Sequence, residues 1–149
     1  MRRFGVLTLA LGALALALAV AGCGGGGGTT MTVVEHATTD AVTDTGASGD
    51  SAGDILTFAN EVYDEANAQS IGSDNGWCVR TVVGKAWECF WTNSLKDGQI
   101  TVEGPFLDAG PSTLAITGGT GAYADAEGEM DISANNDDAT EFKFVFNLK

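Results

Sequence analysis

Apolar and polar residues alternate with a period of two over much of the chain after residue 54. In residues 142–148, four large apolar side chains occupy alternate positions, and lysine, valine and asparagine fall between them. This alternation is the pattern of a β-strand that buries one face. No stretch after the N-terminal apolar segment has a 3.6-residue period of useful length, so the pattern predicts an all-β domain.

Turn-forming residues divide this part of the chain into short strands. Asp97-Gly98, between two β-patterned runs, is the strongest hairpin signal. Eight short antiparallel strands in one domain of this size predict a single small closed β-barrel, whose interior holds packed side chains or one small ligand. The predicted breaks are residues 72–76, Gly84, residues 96–98, 108–111, 118–121 and 135–138.

The first 23 residues have the order of a lipoprotein export signal. Two arginines precede an apolar run over residues 6–21, and small residues lead directly to Cys23. The pattern predicts a lipoprotein signal peptide over residues 1–22, lipidation of Cys23 and a Gly/Thr-rich tether over residues 23–31. The alternative is an ordinary cleaved signal with a chance cysteine. We therefore expect an exported protein, anchored by lipid to the extracytoplasmic face of the cell membrane, with its barrel domain over residues 32–149.

Residues 38–54 follow a short β-patterned run at residues 32–36 and have a different composition. They consist of Thr, Ser, Asp, Gly and Ala, with Val42 as the one larger apolar residue. Such a stretch cannot bury much apolar surface. The composition predicts a long mobile loop.

Cys78 and Cys89 flank a short turn signal at Val83-Gly84. A hairpin closed around that turn places the two cysteines opposite one another on neighbouring strands, within reach of a disulfide. An exported protein folds in an oxidising compartment, where such pairs form and persist. A Cys78–Cys89 disulfide is therefore expected, and two unpaired thiols are the alternative.

The acidic composition restricts the partners. The chain carries a formal net charge of −13, and removal of Arg2 and Arg3 with the signal leaves five basic against 20 acidic residues. No basic patch is available to neutralise phosphates, so nucleic acid is not an expected partner. Anionic headgroups are repelled as well, and the lipid anchor is the expected membrane contact. General solubility explains the acidity, and a specific cationic partner is the alternative.

Several motifs resemble those of the allene oxide cyclases and of the plant dirigent proteins. Residues 104–107 read GPFL and residues 114–121 read LAITGGTG. Residues 55–63 contain F-x-N-x-x-Y, residues 76–79 read GWCV, and residues 142–149 form an aromatic-rich last strand. The resemblance implies the same fold, an eight-stranded antiparallel barrel of calycin type, and a homotrimer as one assembly.

The resemblance also implies an activity. In allene oxide cyclases an unstable fatty-acid epoxide is held in an apolar barrel cavity and cyclised, with a buried Glu, an Asn-held water, a Cys and a Tyr. Glu35, Asn60 and Cys78 match the Glu, one Asn and the Cys, and are the candidate catalytic residues. Phe106 stands in place of the Tyr and Ala37 in place of a second Asn. Phe106 and Asn60 are the candidate ligand-binding residues.

The residues by themselves leave alternatives open. Glu35 is either a buried acid or a solvated carboxylate on the outer face of its strand. Asn60 either binds a ligand or caps a strand end. His36 is the only histidine and has no second ligand-type residue nearby, so neither a metal site nor a cofactor is expected.

We interpret the chain as a barrel that binds a small apolar or aromatic molecule in its lumen. An isomerase or cyclase acting through Glu35 is the alternative, and a surface lipoprotein with a packed lumen is a third possibility. Aromatic residues on the predicted strands either fill the lumen or line a ligand pocket. They are Trp77, Trp87, Phe90, Trp91, Phe106, Phe142, Phe144 and Phe146.

Overall fold

The computed structural model describes residues 28–149. The predicted signal peptide, Cys23 and most of the predicted tether lie outside the described residues. The first strand begins at Thr29, three residues before the predicted start of the domain. Thr29 and Thr30 pair with Leu148 and Asn147 of the last strand. Within the described residues, no helix has the length and apolar character needed to span a membrane.

The described chain forms strands joined by short connections and one 3-10 turn. The strands are β1 Thr29–His36, β2 Ala41–Thr43, β3 Ile55–Tyr63, β4 Ser70–Val82, β5 Ala86–Leu95, β6 Gly98–Leu107, β7 Ser112–Gly119, β8 Gly128–Ala134 and β9 Glu141–Leu148.

Eight of these strands close into an antiparallel barrel. The sheet runs β1-β9-β8-β7-β6-β5-β4-β3, and β1 closes it by pairing with both β9 and β3. Glu35 shows the closure, because it lies opposite Phe142 on one side and Val62 on the other. The short strand β2 pairs with the beginning of β3, along the edge that β1 occupies further on. The predicted all-β, eight-stranded barrel is confirmed.

Alternate residues of each strand fill the barrel, as the sequence pattern predicts. Trp87, Cys89 and Trp91 of β5 point inward, and their neighbours in sequence point outward. Trp77 and Phe90 are directly opposite each other on the outer face, and 47% of Trp77 is exposed. They therefore do not belong to the predicted lumen aromatics. The residues buried in the core include Val33, Val62, Ile100, Val102, Leu114, Met130, Phe144 and Phe146.

The predicted break at residues 72–76 is wrong, because β4 continues through it. A side chain on Gly72 would meet the carbonyl oxygen of Ser94, and one on Gly76 would meet Trp91. These glycines let β4 and β5 approach closely, which is a role that glycine also has within strands. The sequence shows the glycines but not what lies beside them.

The predicted break at residues 118–121 is confirmed. Strand β7 ends at Gly119, and a 3-10 turn follows at Gly121–Tyr123. Gly121 has a φ of 60°, and a side chain on it would meet the carbonyl oxygen of Asp97. Tyr123 packs against the core from this turn, so the corner covers one end of the barrel.

The segment at residues 38–54 differs from the predicted mobile loop, since it contains β2 and a network of hydrogen bonds. Asp54 is 1% exposed and accepts hydrogen bonds from the amides of Ser51, at 2.7 Å, and Thr45, at 3.0 Å. These amide donors lower the pKa of Asp54. Composition predicted a loop without apolar anchors, but buried polar groups hold it in place.

Arg80 joins this segment to the barrel. Its guanidinium lies 2.6 Å from Asp50 and makes two contacts of 2.7 Å with the carboxylate of Asp108. The guanidinium also stacks 3.9 Å from the ring centre of Trp87, whose indole N–H donates to Asp108. Pairing and stacking of this kind offset the desolvation penalty of burying the cation.

Candidate ligand-binding site

A cavity of about 110 Å³ opens inside the barrel, at the end opposite the 3-10 turn. Its walls are mostly apolar, with acidic side chains at one side. A pocket of this composition can hold an apolar ligand and orient it through one polar group. The lining residues are Glu35, Asp40, Leu56, Phe58, Cys78, Cys89, Trp91, Phe106, Ile132, Ala139, Phe142 and Phe144.

Glu35 supplies a carboxyl group to this cavity from the end of β1. It is 6% exposed, and its Oε1 accepts a hydrogen bond of 2.7 Å from the side-chain amide of Asn60. Burial raises the pKa of Glu35, the Asn60 hydrogen bond opposes that rise, and the charge of Asp40 adds to it. The structure therefore places Glu35 inside the barrel and not among the solvated carboxylates of the outer face.

Asn60 lies within β3 and fixes the position of Glu35. Its Nδ2 donates to Glu35 and, at 2.9 Å, to Asp40. Its Oδ1 accepts from the amides of Thr38, at 3.0 Å, and Thr39, at 2.9 Å, and from the Thr39 hydroxyl. Asn60 is therefore not a cap at the end of its own strand. It closes the turn after β1 and aims the carboxyl of Glu35.

Cys78 and Cys89 form a disulfide, as the hairpin register predicts. The two residues are directly opposite each other on β4 and β5, with their Cα atoms 4.0 Å apart. The bond lies in the cavity wall. In this form Cys78 has no free thiol, so the sulfur chemistry that the resemblance implies for Cys78 is not available to the oxidised protein.

Aromatic rings form the rest of the wall in two groups. Phe106 and Phe142 meet edge to face with their ring centres 5.8 Å apart. Trp91 meets Phe58 at 5.9 Å and Phe144 at 5.7 Å. Phe106 lines the cavity, and it offers a ring where a Tyr would also offer a hydroxyl.

His36 is occupied by contacts outside the cavity. Its ring stacks on Tyr63 at 3.9 Å, and its Nε2 is 2.7 Å from the Oδ1 of Asn67. Across residues 28–149, no group of three metal-ligating side chains is close enough to hold an ion.

Asp74 is a buried acid that the sequence interpretation missed. It lies on β4, is 0% exposed and is directly opposite Asn60. Burial raises the pKa of Asp74, and the charge of nearby Glu35 raises it further. Asp74 and Cys78 are an even number of residues apart on β4, so their side chains lie on the same face of the strand. This spacing could have indicated that Asp74 points inward, but the predicted break at residues 72–76 placed Asp74 outside the strand.

Residues 35–137 match the allene oxide cyclase family model. The chain belongs to the allene oxide cyclase family. A solved pyocyanin demethylase is similar to it, with 30% sequence identity and a TM-score of 0.72 over 81% of this chain and 100% of that one.

Two further solved structures share the barrel fold at lower identity. One is a pterocarpan synthase dirigent protein, with 14% identity and a TM-score of 0.66 over 80% of this chain and 83% of that one. The other is an exo-specific intermolecular Diels-Alderase, with 15% identity and a TM-score of 0.66 over 83% and 98% of the two chains.

Proposed function

We propose that the barrel binds a small apolar or aromatic molecule in its lumen, with the polar group of that molecule directed at Glu35. The observation that carries the proposal is the cavity of about 110 Å³, walled by aromatic rings and ending at a buried carboxyl. Cavities of roughly 150 Å³ with apolar walls accept a benzene-sized molecule. The lumen is somewhat smaller than that but open at one end, so a single ring or a short branched chain would fill it, and any larger part of a ligand would extend through the opening.

The cavity argues against the third interpretation, a structural lipoprotein with a filled lumen. The rings that line it keep contact with each other around the space. Apolar surface that faces a partly enclosed space gains free energy when a ligand covers it. The unfilled apolar surface of the lumen therefore favours ligand binding over a purely structural role.

The binding proposal predicts a clear difference between two tryptophan substitutions on β3. Leu56 lines the cavity, whereas Thr57 is exposed on the opposite face of the same strand. We expect toluene and 4-methylphenol to bind the wild type and Thr57→Trp, and binding to be lost in Leu56→Trp because the added ring fills the lumen. Saturation-transfer NMR on the two probes measures this directly.

Circular dichroism should show that both variants keep the β-barrel spectrum. Equal probe binding by Leu56→Trp and Thr57→Trp would place the binding site outside the lumen. The absence of binding by the wild type would reject the proposal. Native mass spectrometry of freshly purified protein would detect, as added mass, any ligand that co-purifies from the cell.

A second candidate is an isomerase or cyclase of allene oxide cyclase type that acts through Glu35. The observation in its favour is the position of Glu35, a desolvated carboxyl with a raised pKa at the wall of an apolar pocket. Such a group can donate or accept a proton at a bound substrate near neutral pH. The similar solved structures bear the names of a demethylase, a pterocarpan synthase and a Diels-Alderase, which supports a catalytic role for this barrel.

Turnover distinguishes the two candidates. The binder predicts that an epoxy fatty acid passes unchanged through the oxidised wild type. Product formation that disappears in Glu35→Gln, while toluene still binds, would instead establish the enzyme.

We further propose export and lipid anchoring through Cys23. The order of charges, apolar run and small residues before Cys23 supports this, and the Cys78–Cys89 disulfide is typical of an oxidising compartment. Intact mass of protein extracted from membranes is expected to show acyl chains on a chain that begins at Cys23. A soluble product with a different first residue would contradict it.

The assembly proposed is a homotrimer with monomer as the alternative, and no nucleic-acid partner is proposed. The acidity of the chain opposes close approach of subunits at low salt. Light scattering at low and high salt measures the mass in solution.

A further inference from the structure

Three polar side chains lie side by side on the inner face of β3, β4 and β5. Asn60 is directly opposite Asp74, and Asp74 is directly opposite Asn93. All three are almost completely shielded from solvent, at 1%, 0% and 0% exposure. Buried polar groups need partners, so this layer must satisfy its own hydrogen bonds.

The side chains of Asp74 and Asn93 both lack a hydrogen-bond partner within the described residues, and Asp74 is the ionisable one of the two. Neither of its carboxyl oxygens has a well-formed hydrogen bond in residues 28–149, although the backbone N–H of Asn60 is close enough to lower the pKa of Asp74. The group that faces it is Glu35, which lies within hydrogen-bond reach once one of the two carboxyls carries a proton. Asp40 adds a further negative charge from the turn after β1.

No cation in the described part of the chain balances these acids. The ion pairs of residues 28–149 join Arg80 to Asp50 and Asp108, and His36 to Glu141. Two carboxylates that face each other away from water cannot both be ionised at neutral pH, because desolvation and like charge both oppose it.

We propose that Glu35 and Asp74 share one proton at neutral pH, with the proton on Asp74 and the negative charge on Glu35 at the cavity wall. The hydroxyl of Asp74 then donates to Glu35, which also accepts from Asn60. Asp74 does not line the cavity. It is a positioning residue that acts on a ligand through Glu35.

The surroundings of the two acids agree with this assignment. Burial raises the pKa of both groups, and the charge of Glu35 raises that of Asp74 further. The hydrogen bond from Asn60 lowers the pKa of Glu35 and so opposes the effect of burial. The side-chain donor of Asn60 lies 2.7 Å from Glu35 and no side-chain donor of the described residues reaches Asp74, so the geometry assigns the charge to Glu35 and the proton to Asp74.

The shared proton narrows the ligand class, and this step rests on the proposed function. An ionised Glu35 in an apolar pocket favours a ring that carries an O–H or N–H donor and repels a carboxylate. Since the pKa of Glu35 is raised to about 7, the comparison belongs at mildly alkaline pH. There we expect benzoate to bind the wild type at least roughly tenfold more weakly than 4-methylphenol, which corresponds to about 1.4 kcal/mol. Equal or tighter binding of benzoate would contradict the ionised state of Glu35.

The acid pair itself is tested without a ligand, so its outcome is independent of the binding experiment. Carbon-13 NMR of the Glu and Asp carboxyls over a pH titration reports each group separately. In the wild type we expect Asp74 to stay protonated at neutral pH and Glu35, whose pKa is raised to about 7, to ionise there as the first of the two. In Glu35→Gln, the Asp74 titration is expected to move down by at least roughly one pH unit, because its anionic neighbour is gone.

Asp74→Asn gives the reciprocal measurement, since its amide can still donate to Glu35. The upper of the two titration steps is expected to disappear, and one step, that of Glu35, should remain. Asp97→Asn, at an exposed turn position, should leave both steps unchanged. An Asp74 that is ionised at neutral pH in the wild type, or that titrates identically with and without Glu35, would overturn the proposal.

Discussion

Reduction of the Cys78–Cys89 disulfide is expected to lower the free energy of unfolding by about 3 kcal/mol. The bond joins residues 11 apart in sequence, and opening it returns conformational freedom to the unfolded chain. Urea denaturation with and without a thiol reductant measures the difference. The Cys78→Ala, Cys89→Ala double variant should match the reduced protein and be insensitive to the reductant.

The same bond decides which sulfur chemistry is available in the cavity. Cys89→Ser leaves the Cys78 sulfur as a free thiol at the cavity wall, where the disulfide now lies. If the thiol that the family resemblance implies has a catalytic role, this single variant should convert an epoxy fatty acid faster than the oxidised wild type. If the protein is a binder, neither form should convert it.

Equal stability of the oxidised and the reduced wild type in the urea experiment would contradict the stabilising role of the bond.

Asp74→Asn is expected to stabilise the protein at neutral pH, and by more as the pH rises. The pKa of Asp74 is raised in the folded state, so the folded protein holds a proton that the unfolded chain has already lost. Stability therefore falls as the pH rises from the ordinary carboxyl pKa towards the raised one, by up to about 1.4 kcal/mol per pH unit for this group. The neutral amide removes that loss.

Urea denaturation of wild type and variant at several pH values between mildly acidic and neutral measures this dependence. The stability difference between Asp74→Asn and wild type should widen with pH, whereas Asp97→Asn should show a nearly constant difference. A difference that narrows or reverses sign would mean that Asp74 is ionised in the folded protein and stabilises it as an anion.

The hairpin of β4 and β5 shows which features the local sequence pattern can predict and which it cannot. Its turn at Val83-Gly84 and the alternation of its flanks predict the register, and the register pairs Cys78 with Cys89. Both follow from short-range rules, because turn geometry fixes which residues face each other. The same register also places Asp74 opposite Asn93, but the glycines at residues 72–76 indicated a break there and not a close approach to β5.

The loop before β3 shows the opposite case. Composition alone predicts a mobile segment, because almost nothing in residues 38–54 can be buried as apolar surface. The structure holds the segment through polar groups, with Asp54 accepting from Ser51 and Thr45, and Arg80 pairing with Asp50. Such contacts depend on residues brought together from distant positions in the chain, and periodicity carries no information about them.

The sequence by itself determined the β-barrel and led to the expectation of the Cys78–Cys89 disulfide, while its motifs, through the family resemblance, supplied Glu35, Asn60 and Phe106 as candidates. These depend on alternation, turn residues and motifs, which are local properties of the chain. Only the tertiary structure decided that Glu35 is buried against Asn60 and Asp74 at the wall of a cavity. The reason is physical: barrel closure between β1 and β3 brings an acid from each of two distant strands together, and the desolvation of that pair, not the type of either residue, sets its charge.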